Sequence, residues 1–262
     1  MKYFSTNKEI FTFFIISSCF YFLGYSDDKS HLKANYKLII ISLLIIIVMF
    51  FDDSLVIRYI DFSFTNFRLE FFYFSYFITI LCFLLFINSF NMLDGINGQA
   101  TSYSLFIIIL FIILKINTFL FLCLLTSLLF FLYYNFKGKM FLGDSGTLLL
   151  GFILSYFFIK SSNELSILHS DEIFLIMMIP GLELLRLAIT RLIKKKHPFK
   201  PDNNHIHHYM IDKVGYFKSY FLIQLLLIMP YVTYLIFSNS IFSFAISFIT
   251  YSLILIFVQK KI

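Results

Sequence analysis

The chain has 262 residues, of which 60% are hydrophobic and 14% charged, and its mean hydropathy is +0.86. A soluble domain carries about 25% charged and about 45–50% apolar residues, so this composition excludes a disordered chain, a secreted disulfide scaffold and a soluble globular fold. The same length accommodates roughly nine or ten membrane spans of about 20 residues each.

The net charge is +6, from 21 Lys and Arg against 15 Asp and Glu. The basic residues sit in short patches between apolar runs. That reads as topology charge beside anionic lipid, not as a nucleic-acid surface. Cys19, Cys82 and Cys123 each lie inside an apolar run, without metal or disulfide spacing, and are read as small buried apolar residues.

The first apolar segment is 9–25. Lys2 and Lys8 precede it as in a signal peptide, but Gly-Tyr-Ser-Asp-Asp-Lys follows without a small-x-small cleavage site. It is read as a membrane helix. Asp27 and Asp28 then form adjacent carboxylates at a helix end, which call for a metal, a cation or a shared proton, unless they belong to a solvated loop. After the second segment, 35–51, comes another acidic pair, Asp52-Asp53, read as a polar stop.

The third segment, 70–90, runs into Asn88-x-x-Asn91-x-x-Asp94-Gly95-x-Asn97-Gly98. Its glycines permit tight turns that aim amide and carboxylate groups at one ligand; a plain helix-ending turn is the alternative. Segments 100–114 and 117–134 follow. Next comes Asn135 and then Phe141-Leu-Gly143-Asp144-Ser-Gly146-Thr147. An Asp in that setting suits a hard cation such as Mg²⁺, or it caps the next helix. Segment 147–160 is short for a span.

Segment 173–192 carries Glu183 and Arg186 three apart on one face, a charged pair inside an apolar helix. Beyond it lie Arg191, Lys194, Lys195, Lys196 and then Pro198-Phe-Lys-Pro-Asp202-Asn-Asn-His205-Ile-His207-His208. The histidines lack the spacing of a structural zinc site. Imidazoles and ammonium groups facing carboxylates and Mg²⁺ point instead to phosphate binding. Segments 218–238 and 240–258 complete nine apolar runs. All are expected to be helices, because backbone hydrogen bonds in lipid must close within the segment. The fold is therefore read as an all-α polytopic membrane protein with about nine transmembrane helices.

Alternating sides from a cytoplasmic 24–34 loop puts 15 Lys and Arg inside and 6 outside, as the positive-inside rule requires. The N-terminus is then outside and the C-terminus cytoplasmic. The stretches 24–34, 91–99, 135–146 and 193–217 fall on one face and collect Asp27, Asp28, Asp94, Asp144 and the His-Ile-His-His run. A charged cytosolic substrate would meet such a face.

These four motifs, in this order, resemble the polyprenyl-phosphate N-acetylhexosamine-1-phosphate transferases of glycosyl transferase family 4. The resemblance rests on G-x-x-D-D with downstream Leu32 and Lys37, N-x-x-N-x-x-D-G-x-N-G, F-x-G-D-S-G, Pro180…Glu183…Arg191, and P-F-x-P-D-x-x-H-I-H-H. The last looks more like the undecaprenyl-phosphate GlcNAc-1-phosphate branch than the muramoyl-pentapeptide branch. The resemblance implies transfer of a HexNAc-1-phosphate from UDP-HexNAc to undecaprenyl phosphate, with release of UMP. This would be the first lipid-linked step of a cell-envelope polysaccharide such as O-antigen, at the bacterial cytoplasmic membrane. It implies Mg²⁺, with Mn²⁺ as a substitute, and leaves room for a homodimer.

By the same resemblance Asp144 would hold the metal, and Asp27 and Asp28 would deprotonate or position the lipid phosphate. Asn91, Asp94, Asn97 and Phe141 would hold the nucleotide. His205, His207, His208 and Arg191 would bind phosphate or sugar. Three departures stand out: Asn97 where many relatives have Asp, Glu183 where Asp is common, and a short stretch before Gly24. The resemblance leads one to expect a further helix and a basic Gly-Gly loop there, so residues 1–262 are expected to form a single transferase domain lacking them. An inactive relative that binds the lipid carrier, and a secondary transporter, are the competing expectations.

Overall fold

The computed structural model describes residues 4, 6–195 and 204–259. All nine apolar segments are helices: α1 (Asn7–Ser30), α2 (Ala34–Phe51), α3 (Ser75–Asn91), α4 (Gln99–Ile113), α5 (Thr118–Phe136), α6 (Gly143–Asn163), α7 (Ser170–Ile193), α9 (Tyr216–Phe237) and α10 (Ser240–Gln259). Between α7 and α9 lies a further, shorter helix, α8 (Ile206–Val214). Eight of the described helices are long and apolar enough to cross a membrane, which identifies a multi-pass membrane protein. The ninth, α4, has 15 residues, or about 22 Å of helix. It is short against a hydrocarbon core of about 30 Å, but Tyr103, Ile107, Ile108 and Phe111 bury it among its neighbours.

The all-α expectation has one exception. The 52–69 connection folds into an antiparallel hairpin of β1 (Tyr59–Phe62) and β2 (Thr65–Glu70). It lies between spans, so strand pairing there does not conflict with the rule that lipid-embedded segments close their own hydrogen bonds. Asp171, in the first turn of α7, anchors it by accepting from the Ser63 N–H at 2.9 Å and the Ser63 hydroxyl at 2.6 Å.

α6 is the axis of the bundle. It packs along α1 and α3 and buries Phe152, Leu154, Tyr156, Phe157 and Phe158. α2, α5 and α10 instead present large apolar side chains outward, such as Leu43, Phe50, Phe130 and Phe257, a girdle suited to lipid. Cys82 on α3 and Cys123 on α5 are exposed and Cys19 is half-buried, so the expectation of three buried cysteines is corrected. In lipid an outward-facing thiol has no water to avoid.

One end of the bundle holds a closed ionic cluster. The Lys160 ammonium, fully buried, lies 2.9 Å from Glu9, 3.0 Å from Asp52 and 3.5 Å from Glu164. The Tyr156 hydroxyl donates to Asp52 as well. Asp52 is therefore not a polar stop facing water, because a buried lysine on α6 needs a counter-charge. Only Asp53 fits that description: it is exposed and pairs with Arg58 at 2.6 Å. Asp27, Asn91, Asp144 and His207 gather at the opposite end, as the alternation of spans requires.

Candidate active site

The stretch 24–34 is largely helix, whereas 135–146 holds a turn at 137–142 between the end of α5 and the start of α6. Ser26 and Ser30 donate their hydroxyls back to Phe22 and Ser26 carbonyls, and α1 continues through both aspartates. It stops at His31, whose backbone turns left-handed (φ 49°) and whose N–H caps the Asp27 carbonyl. The Asp27 carboxylate then accepts the Leu32 N–H at 2.8 Å, fixing the turn into α2. On the facing helix, α6 begins at Gly143, so Asp144 lies in its first turn.

Helices α1 and α6 meet at Gly24. A Cβ there would stand 2.3 Å from the Asp144 carbonyl oxygen and 2.4 Å from the Ser145 Cα; only glycine admits this approach. The consequence is direct contact between the acidic pair and the start of α6. Asp28 accepts the N–H groups of Asp144 at 2.8 Å and Ser145 at 3.0 Å. These are among the unsatisfied donors of a helix N-terminus, where the dipole also favours a negative charge. The helix cap is thus supplied by Asp28 from α1, and the capping alternative for Asp144 falls away.

Released from capping, Asp144 faces inward. Its Oδ2 lies 2.6 Å from the Lys37 Nζ, which also reaches Asp27 Oδ2 at 2.7 Å. Its Oδ1 accepts from Asn91 Nδ2 at 2.7 Å, and the same amide nitrogen contacts Thr147 Oγ1 at 2.6 Å. Asn91 is the last residue of α3, so α1, α2, α3 and α6 all converge on one carboxylate. Asn88, one turn earlier, bonds only to the Leu84 carbonyl of its own helix.

Asp94 joins through the Gly143 N–H, at 3.1 Å from its Oδ2. Burial pushes its pKa up to about 6. The Asp144 and Asp28 charges add to that rise, and the Gly143 N–H opposes it. Next to it, Gly95 carries the His207 ring. A Cβ on Gly95 would meet the imidazole at 2.1 Å. His207 is buried, with its pKa lowered to about 3 by desolvation first and by the neighbouring His205 and His208 next, so it is a neutral imidazole at pH 7. The three rings cluster, with His207 4.3 Å from His208 and 5.1 Å from His205.

The remaining expected residues are placed more loosely. Asn97 accepts the Tyr216 hydroxyl on its carbonyl at 3.3 Å. Asn135 ties the 91–99 turn to the 137–142 turn, accepting the Gly98 N–H and donating to the Met140 carbonyl. Phe141 is 71% exposed at the edge of the cluster. Arg191 is buried in the last turn of α7. Glu183 and Arg186 do pair, at 2.7 Å, and Glu183 also accepts the Ile206 N–H at 2.8 Å. Residues 196–203, with the Pro-Phe-Lys-Pro-Asp stretch, lie outside the described residues.

Two partners carry no role in the sequence reading. Lys37 enters it only as a motif position, although a lone lysine in the first turn of an otherwise apolar α2 is a visible signal. Thr147 is one turn after Asp144 on the same face, which is evident only once α6 is known to start at Gly143.

The donor set at Asp144, Asp27 and Asp94 is oxygen only, and the Lys37 ammonium joins two of these carboxylates, Asp27 and Asp144. Among the described residues no three His, Cys, Asp or Glu side chains form a metal cage. That suits Mg²⁺, which takes one or two carboxylates and completes its shell with water and phosphate oxygens.

Several known proteins are similar to this chain in sequence. A Bacillus subtilis (strain 168) protein named as a probable undecaprenyl-phosphate N-acetylglucosaminyl 1-phosphate transferase is 29% identical over 71% of this chain and 54% of its own length. Undecaprenyl-phosphate alpha-N-acetylglucosaminyl 1-phosphate transferases are similar too. That of Thermotoga maritima is 29% identical over 79% of this chain and 64% of its own length. That of Escherichia coli (strain K12) is 27% identical over 74% and 56%. The chain thus spans a little over half to under two thirds of these relatives. The family model for glycosyl transferase family 4 matches residues 10–162, which is more than half of the chain and holds Asp27, Asp28, Asn91, Asp94 and Asp144. The chain belongs to glycosyl transferase family 4.

Proposed function

We propose that the chain transfers N-acetylhexosamine 1-phosphate from a UDP-linked donor to undecaprenyl phosphate, releasing UMP, at the cytoplasmic face of a bacterial inner membrane. The observation that carries this reading is the Asp27–Lys37–Asp144 bridge at one end of an apolar bundle. It joins a place for a cation to a place for a phosphate, within reach of a lipid headgroup. The reaction forms one bond, from a lipid-phosphate oxygen to the sugar-bearing phosphorus, and breaks one, to the UMP oxygen.

Asp144 and the nearby Asp94 would hold Mg²⁺ (or Mn²⁺), which when bound neutralises the diphosphate and the departing UMP. Lys37 places positive charge between Asp27 and Asp144, where the lipid phosphate would enter. A phosphate monoester is already nucleophilic near neutral pH, so orientation contributes more than proton removal. Both Asp27 oxygens are engaged, by Leu32 N–H and by Lys37, which favours positioning and proton acceptance over covalent attack. Asp28, with both oxygens on the α6 N–H groups, sets where Asp144 stands. Asn91 holds the Asp144 carboxylate from the other side. Asn97, Phe141, Arg191 and the imidazoles of His205, His207 and His208 border the donor. His207 is a neutral hydrogen-bonding group in this role. A transporter would concentrate its polar groups near the midplane, whereas these motifs meet at one end.

The test is UMP release by membranes containing the full chain, with undecaprenyl phosphate, Mg²⁺ and a panel of UDP-HexNAc donors. Lipid-dependent release that disappears in Asp144→Asn is expected. Release from no donor by correctly inserted protein would overturn the proposal and leave a lipid-carrier-binding relative.

A further inference from the structure

The helix α10 lies outside the stretch that matches the family model; it packs on α8 and is also tied to the His-bearing segment through one buried carboxylate. Glu183 on α7 is buried. It accepts from Arg186 Nε and Nη2 at 2.8 and 2.7 Å, from the Tyr251 hydroxyl at 2.7 Å and from the Ile206 N–H at 2.8 Å. Arg186 Nη2 also donates to the Asn204 carbonyl. The segment is therefore gripped on both sides of His205, at Asn204 and at Ile206. Ile206 is the first residue of α8, and its N–H is one of the donors that a helix leaves unsatisfied at its start. Glu183 supplies both the acceptor and the negative charge favoured there.

The grip matters because His207 has no slack. Its ring lies against the Gly95 backbone, beside Asp94, which binds the first residue of α6. A small shift of α8 separates the imidazole from the turn that carries Asp94. Four donors on one carboxylate fix that carboxylate, and the Tyr251 hydroxyl is the one supplied by α10. We infer that Tyr251, Glu183 and Arg186 are positioning residues that hold the His205–His208 segment against the Asp94-Gly95 turn, so that α10 helps set the donor side of the site. The kinetic part of this inference rests on the proposed transferase reading; the geometric part does not.

The test uses the full chain in detergent or native membranes and two independent readouts. The first is diethyl pyrocarbonate modification followed by mass spectrometry. His207 is buried, while His169 at the opposite end of the bundle is 46% exposed in its side chain and serves as the internal standard. In Tyr251→Phe and Glu183→Gln, His207 is expected to react at least about fivefold faster, as local opening exposes it, with His169 unchanged. Glu183→Asp, which keeps the charge, is expected to restore most of the protection. Should Glu183→Gln fail to fold, Tyr251→Phe removes a single hydroxyl and still decides the question. The second readout is kinetic: Tyr251→Phe should raise KM for the UDP-HexNAc donor about tenfold, the loss expected of one charge-assisted hydrogen bond, while KM for undecaprenyl phosphate stays put. His207 as well protected in Tyr251→Phe as in the parent chain overturns the inference. A parent chain that releases no UMP overturns the transferase reading instead, and the labelling result stands on its own.

Discussion

Gly24→Ala is the smallest change that should disconnect the site. The added methyl would stand 2.3 Å from the Asp144 carbonyl oxygen and 2.4 Å from the Ser145 Cα. Both are backbone atoms, so no side-chain rotation relieves the contact. Restoring an ordinary separation of roughly 3.5 Å requires α1 and α6 to part by about 1 Å. The Asp28 bonds to the α6 N–H groups and the Asp27–Lys37–Asp144 bridge span that same gap. A misplacement of about 1 Å can cost ~100-fold in rate, and overpacking typically costs about 1–3 kcal/mol in stability. The control is Gly181→Ala in α7, where a Cβ meets nothing within 4 Å; there the helix-propensity gain of up to ~1 kcal/mol is unopposed. Lipid-dependent UMP release and thermal unfolding in detergent, measured on both variants, test the argument. A Gly24→Ala enzyme within about threefold of the parent would refute the claim that this backbone contact aligns the site.

Three further outcomes follow from the geometry. Lys37→Met leaves the Asp27 and Asp144 carboxylates facing each other without the ammonium that bridges them; removing one partner of a largely buried charged pair costs about 3–5 kcal/mol, so kcat/KM for UMP release should fall by about 100-fold or more, and an unchanged value across a Mg²⁺ titration would show the ammonium to be dispensable. Lys160→Met strands Glu9 and Asp52 at the far end of the bundle. It should cost about 3–5 kcal/mol in thermal unfolding, with the specific activity of the folded fraction unaltered. His207, with a folded pKa of about 3 against about 6.5 when unfolded, binds fewer protons folded than unfolded between those values. Stability is therefore complete above about pH 6.5 and declines by up to ~1.4 kcal/mol per unit as pH falls below it; comparing the melting temperatures of the parent and His207→Gln between pH 7.5 and pH 5 isolates this slope, and parallel curves would refute it.

Much of this arrangement is legible in the residues themselves. Apolar length marks the nine long helices, because lipid leaves a backbone few alternatives. Sharing of one end by Asp27, Asn91, Asp94, Asp144 and His207 follows from counting spans. What is not legible is where polar motifs stop being loops. Gly-Tyr-Ser-Asp-Asp and Gly-Asp-Ser-Gly look like punctuation, yet they lie in the last two turns of α1 and the first turn of α6. Serine hydroxyls sustain the first, and Asp28 reaching across from α1 sustains the second. That cap is a tertiary contact between residues more than a hundred positions apart, and no local pattern announces it. The hairpin at Tyr59–Glu70 and helix α8 are hidden for a related reason. Each is held by a partner distant in sequence, Asp171 for one and Glu183 for the other.

The chain's two acidic pairs illustrate the same limit and bear on function. Asp27-Asp28 and Asp52-Asp53 are equivalent in composition, and each sends one carboxylate to a lysine. The surroundings separate them. At Lys160 the side chains of the lysine and Asp52 are 1% and 2% exposed, and Glu9 and the Tyr156 hydroxyl complete the buried contacts. At Lys37 the lysine is 14% and Asp144 31% exposed, and Asp94 and Asp28 add negative charge beside the bridge. A closed cluster ties helices together, because any ligand entering it would break more bonds than it made. An open cluster with surplus negative charge can take up a cation, and through it a diphosphate. The difference between a structural lock and a site for chemistry lies here in access, which the dipeptide Asp-Asp does not contain.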